Sequence, residues 1–173
     1  KFVPASGAAS RMFKLLFSFL EIADDPETVK KEFSKSDNLQ SIKTFFDRMN
    51  DFAFKDDIDA VLKSQGKSIQ SCLNTEDYDS IISDLLNEDG LEYGSLPKGL
   101  LKFHMYEDGS RTPLMEHLVE GALYAKSKND HVNLHFTVSA EHRAKFEAHV
   151  EEVKSFFEKE YGVTINVSFS EQK

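Results

Sequence analysis

A chain of 173 residues, 40% apolar and 12% aromatic, can build a core and suits one domain or one and a half. Its formal net charge of −9 speaks against a nucleic-acid or anionic-membrane surface, both of which call for basic patches. The single cysteine, Cys72, excludes an intramolecular disulfide, and neither a long apolar run nor a charged-then-apolar leader is present, so the cytoplasm is the default compartment.

The chain opens on a short apolar run, Phe2-Val3, followed by Pro4-Ala5-Ser6-Gly7-Ala8-Ala9-Ser10-Arg11 and an apolar segment from Met12. Strand, small-residue loop and helix start, in that order, let backbone N–H groups approach a phosphate, because no side chain stands in the way. The same residues also suit a plain strand-to-helix turn with nothing bound. From Met12 to Ile22 apolar residues crowd together, predicting a largely buried helix that ends before Asp24-Asp25-Pro26. A weaker helix is expected over 26–33. Ser36 or Asp37 then caps a clearer one, with Leu39, Ile42, Phe46 and Met49 on one stripe, widened by Phe45 and Phe52. Ile58, Val61 and Leu62 predict a short helix closed by Gly66, and Thr75 is the expected cap of another that carries Tyr78, Ile81, Ile82, Leu85 and Leu86 up to Asp89-Gly90. Residues 15–93 hold 18 acidic and 8 basic side chains, a net −10 against +1 for the rest, which marks a boundary near Leu96.

Beyond that boundary, 96–103 forms a turn and a short extended piece, and Asp108-Gly109 is a second turn signal. Thr112 as cap with Pro113 at the first helical position starts a helix carrying Leu114, Leu118 and Ala122. Residues 132–138 alternate strictly and predict a strand. Ser139 caps a long helix with Phe146, Val150, Val153 and Phe157 in register, Tyr161-Gly162 ends it, and Val163, Ile165, Val167 and Phe169 alternate through a last strand. Strand, helix, strand, helix, strand with such short connections predicts right-handed parallel βαβ units. The expected fold class is therefore α/β, a three-layer sheet of mainly parallel strands with a large helical insertion. Ligands of such sheets bind beyond the carboxyl ends of the strands, here Ala5–Arg11, Ser139 and Ser170–Lys173. A first strand that starts at Lys1 and a last strand running into Lys173 suggest a fragment of a longer chain.

Residues Ala5 to Met12 resemble the A-A-G-x-G-x-R-M loop of the sugar-phosphate nucleotidyltransferases, also called nucleoside-diphosphate-sugar pyrophosphorylases. Leu96-Pro97-Lys98-Gly99-Leu100-Leu101 is similar to their P-K-x-L segment, and Arg111-Thr112-Pro113-Leu114-Met115-Glu116-His117 to the helix start that follows it. The nearest resemblance is to an uncharacterised bacterial family, a domain of unknown function, that looks like a divergent relative with a helical insertion. It implies a nucleotidyltransferase-like, half-Rossmann α/β domain over 1–14 and 94–173, and an acidic helical insertion over 15–93. The implied reaction is attack of a sugar 1-phosphate oxygen on the α-phosphate of a nucleoside triphosphate, with pyrophosphate leaving. Such chemistry needs positive charge and N–H donors around phosphates rather than a covalent nucleophile.

The resemblance implies that the backbone of Ala5, Ser6, Gly7, Ala8, Ala9 and Ser10 cradles the triphosphate. Arg11 would stabilise the leaving pyrophosphate, Lys98 would neutralise charge at the α-phosphate and the incoming sugar phosphate, and Gln172 would sit near the base. Ala9 stands where the family has its second glycine, and 87 residues separate Arg11 from Lys98, far more than the family uses. The Mg2+ ligand and the sugar pocket would lie beyond Lys173, so the fragment by itself is expected to be inactive. The alternative is a non-catalytic relative that binds a nucleotide or phosphate metabolite, or that docks a protein partner through the acidic insertion. Asp57-Ile58-Asp59 and Asp77-Tyr78-Asp79 imitate a D-x-D metal motif, but each falls in a first helical turn, where acids favour the dipole and i,i+2 side chains diverge. His131 and His135 would be roughly 13 Å apart on a strand, and His142 and His149 about 10 Å apart on a helix. Neither spacing chelates one ion, and no structural metal is expected.

Overall fold

The computed structural model describes residues 1–34 and 37–172. The chain divides into two compact units, one formed by Ala9–Ser95 and the other by Lys1–Ala8 together with Leu96–Lys173. No helix among the described residues is long and apolar enough to cross a membrane.

The 9–95 unit is helical. Helix α1 (Lys14–Leu20) buries Leu16 and Phe19, and Phe13 is buried just before it. Met12 and Phe17 are exposed, so the helix is shorter and less buried than the apolar run suggests. Positions two apart on a helix point nearly opposite ways, and Phe17 and Phe19 therefore cannot share one core face. Helix α2 (Pro26–Phe33) is capped by Asp25, whose side chain accepts from the Glu27 N–H. Helix α3 (Asp37–Asp47) buries Ile42 and Phe46, and Met49 joins them from a short 3-10 turn; Ser36, the other expected cap, lies outside the described residues. Helix α4 (Lys55–Ser64) buries Ile58 and Leu62 and is followed by Gly66 at φ +77°. Phe46 packs against Phe19 and Tyr78 with ring centres 5.9 and 4.4 Å apart, which seals the centre of this unit.

Helix α5 (Ile69–Asn74) is capped by Ser68 in a capping box and buries only Ile69 and Cys72, too short a repeat to stand out in the sequence. Helix α6 (Tyr78–Leu86) is capped by Asp77, not by Thr75, whose hydroxyl instead donates to the Ser71 carbonyl at the end of α5. After α6 the chain turns back on itself so tightly that a Cβ at Gly90 would stand 2.0 Å from the Asp84 carbonyl oxygen.

In the other unit, strand β1 (Phe2–Pro4) is followed, after the helical segment, by the hairpin β2 (His104–Tyr106) and β3 (Gly109–Arg111), with Gly109 at φ +126° in the turn. Helix α7 (Pro113–Tyr124), strand β4 (His131–Val138), helix α8 (Arg143–Tyr161) and strand β5 (Thr164–Glu171) complete it. Thr112 caps α7 as expected, Ser139 opens a 3-10 turn that leads into α8, and Gly162 ends α8 in the left-handed region. The sheet order is β1-β4-β5, all parallel, with Val3 opposite Phe136 and Phe136 opposite Phe169.

The expected three layers become two. Val132, Leu134, Phe136 and Val138 of β4 form one core with Leu114, Leu118 and Ala122 of α7 and Phe146, Val150 and Phe157 of α8. Strands laid down in chain order by crossovers of one hand place every connecting helix on the same face; covering both faces requires a reversal of strand order, and there is none here. The other face carries His131, Asn133 and His135, with the exposed ring of Phe2 stacked on His135.

Candidate functional site

The site grows from the carboxyl end of β1. The ladder continues one residue past Pro4, where the Ala5 N–H donates to the Thr137 carbonyl, and then releases the small-residue loop. Pro97 comes alongside: Ala8 and Pro97 form an isolated antiparallel bridge, and the Lys98 N–H donates to the Gly7 carbonyl at 2.9 Å. Pro97 is extended, and Lys98-Gly99-Leu100 then makes a 3-10 turn. Gly99 is required there by close approach, since a Cβ would meet the Phe146 ring at 2.9 Å.

These elements enclose a cavity of about 200 Å3. The loop contributes Ala5 and Gly7, the turn contributes Lys98 and Gly99, and α7 contributes Pro113, Leu114 and His117, over a floor of Phe136 and Phe146. Lys98 is exposed and has no ion-pair partner among the described residues. The N–H groups of Ser6, Gly7 and Ala8 likewise meet no acceptor among the described residues. A small-residue loop, a lysine ammonium and the N-terminal turn of α7 on one cavity favour an anion. None of Ser6 to Arg11 has positive φ, so alanine at position 9 is accommodated without strain.

His117 stands one turn into α7. Its Nδ1 lies 3.1 Å from Lys1 Nζ, and Lys1 also pairs with Glu120. Burial, and then the Lys1 charge, hold the imidazole below its usual pKa, against the opposite pull of Glu120 and Glu116. A pKa below the ordinary value of about 6.5 leaves the ring neutral at pH 7.

The site residues anticipated from the sequence separate as follows. Ala5, Gly7 and Lys98 line the cavity, and Ala8 is paired with Pro97. Ser6 donates from its hydroxyl to the Gln172 side-chain oxygen, and the Gln172 N–H donates to the Val138 carbonyl, so these two meet at the carboxyl edge of the sheet. Ala9, Ser10 and Arg11 open the helical unit: Ala9 is buried, the Ala9 and Ser10 carbonyls accept from Met12 and Phe13, and Arg11 is exposed in the turn. Sequence reasoning assigned no role to His117, Gly99 or Phe146. The first stood inside the quoted Arg111–His117 stretch and the second beside Lys98, but which side chains border a cavity is set by packing. Arg111 itself is spent on the hairpin, 3.0 Å from Asp108 and over the Tyr106 ring.

The D-x-D acids serve the fold. Asp59 pairs with Lys63 at 2.6 Å and accepts the Ile69 N–H, and Asp77 caps α6 and pairs with Lys67. Among the described residues no three His, Cys, Asp or Glu side chains gather so as to hold a metal ion.

The whole chain, residues 1–173, matches a family model described as Domain of unknown function (DUF4301). The chain belongs to the DUF4301 family. No curated protein and no solved structure matches it. For the DUF4301 chain the functional reading therefore rests on the cavity and on the chemistry of its lining.

Proposed function

We propose that this DUF4301 chain binds a phosphorylated ligand in the loop after β1, and that the intact protein uses it for nucleotidyl transfer from a nucleoside triphosphate to a sugar phosphate or similar small molecule. One observation carries the reading: Ala5 and Gly7 of the small-residue loop line one cavity with Lys98, which has no ion-pair partner among the described residues. In this reading the loop holds phosphate oxygens, Lys98 offsets charge at the α-phosphate, Arg11 steadies the leaving pyrophosphate, and Gln172 approaches the base. Fixed donors aimed at developing charge supply the rate enhancement, with no covalent intermediate. The described residues do not supply a ligand set for Mg2+, and no step is assigned to it.

A second reading is favoured by size. A cavity of about 200 Å3 is smaller than the roughly 300–1,000 Å3 usual for whole small-molecule ligands, which suits a compact phosphate metabolite bound without turnover. Calorimetric titration of ATP, GTP, CTP and UTP into the chain, with pyrophosphate release by the intact protein assayed against several sugar 1-phosphates, separates the two. Transfer predicts release that falls in Arg11→Ala and Lys98→Ala. Binding undiminished in Lys98→Ala, with no release, would overturn it.

A further inference from the structure

His117 borders the same cavity as Gly7 and Lys98, and the proposed reaction leaves it without a part. Its chemistry is settled by its neighbours. Lys1 Nζ, 3.1 Å from Nδ1, is an ammonium that has only protons to give, and it stands nearer than Glu120 Oε2, which lies 3.4 Å from the same nitrogen; with Nδ1 accepting from Lys1, the neutral ring carries its proton on Nε2. Glu120 holds Lys1 in place from the next turn of α7, and the Phe136 ring, 6.2 Å away and inclined at 63°, limits rotation of the imidazole. The charged groups around the ring are Lys1, Glu120 and Glu116. The result is a half-buried, oriented, uncharged N–H donor on the cavity that Lys98 also lines.

We infer that His117 is a second side-chain ligand of the phosphorylated molecule bound in this cavity, donating its Nε2–H to a phosphate oxygen while Lys98 supplies the opposing charge. The inference rests on the reading of the loop as a phosphate site. It specifies the ligand further: a phosphoryl group small enough to lie between Lys98 and α7, recognised by one charged and one neutral donor. Because the ring is already neutral, its contribution does not require a protonated imidazole, and binding above pH 7 keeps it.

Two measurements test this. The 15N shifts of His117 in the free protein report the tautomer without any ligand, and an Nε2–H tautomer that is lost in Lys1→Met is expected. Calorimetric titration with inorganic pyrophosphate then compares wild type, His117→Gln, His117→Asn, His117→Phe and Lys98→Ala. Gln places an amide donor near the Nε2 position and is expected to keep affinity within about threefold, whereas Asn and Phe, which lack a donor there, lose about tenfold, the worth of one hydrogen bond. An Nδ1–H tautomer, or full affinity in both the Asn and Phe variants while Lys98→Ala loses it, overturns the role of His117 alone. Pyrophosphate that fails to bind wild type, or binds Lys98→Ala equally well, overturns the phosphate site itself.

Discussion

The Lys98 N–H donates to the Gly7 carbonyl at 2.9 Å, joining two loops that the whole helical segment separates in sequence. Closing so long a connection costs little more entropy than closing a short one, because the cost grows only with the logarithm of length. The bond also consumes the Gly7 carbonyl, and the loop is left with N–H donors to offer.

Gly99→Ala is expected to damage the site from within. The new methyl would press on the Phe146 ring, which is buried and cannot retreat into solvent. Overpacking of this kind costs about 1–3 kcal/mol, and thermal denaturation should show a lowered midpoint. Pyrophosphate affinity should fall with it, as the cavity narrows.

In the helical unit, Asp77→Ala and Thr75→Ala distinguish the real cap from the apparent one. Asp77 accepts the Ser80 N–H and pairs with Lys67 at 2.9 Å. Its removal should cost about 0.5–2 kcal/mol, the usual worth of an N-cap. Thr75 returns its hydroxyl to the Ser71 and Cys72 carbonyls of the preceding helix, and chemical denaturation of Thr75→Ala should stay within about 0.5 kcal/mol of wild type.

Asp79 gives a pH signature. Burial, then the neighbouring Asp24 and Asp77 charges, hold its carboxyl above the usual carboxylate pKa. The fold thus favours the protonated form, so the stabilisation is fully present below the unfolded value of about 3.8 and is lost as pH rises through the folded one. Asp79→Asn, neutral throughout, should gain on wild type as pH rises from 3 to 7. Melting curves across that range that run parallel for the two proteins would contradict it.

Gly162 ends α8 at φ +61°, with open space around a would-be Cβ. Gly162→Ala should therefore lower stability through backbone strain alone, by about 1 kcal/mol, as read by urea denaturation.

Much of the sheet unit was legible because its signals are local. The alternation of 132–138, the Thr112-Pro113 cap and the glycine after Tyr161 each act within a few residues, and each lies where the sequence puts it. A third layer does not form, since strands in chain order with crossovers of one hand leave one face of the sheet bare. In the helical unit, Ile69 and Cys72 alone make no stripe that would mark α5, and the crowding of apolar residues around Phe17 does not amount to burial. Of the site, small residues and a lysine after proline were visible. The tautomer of His117 was not, because it depends on Lys1, a contact made only once β1 lies beside α7's neighbour β4.

The most direct measurement is a 1H–15N correlation spectrum of the chain titrated with inorganic pyrophosphate and with each nucleoside triphosphate. The Ser6, Gly7, Ala8 and Lys98 amides are expected to shift together, saturating at one common dissociation constant, with the loop N–H resonances moving downfield as they gain an acceptor. Shifts confined to the helical unit, or a loop that stays unmoved at millimolar ligand, would contradict a phosphate site after β1.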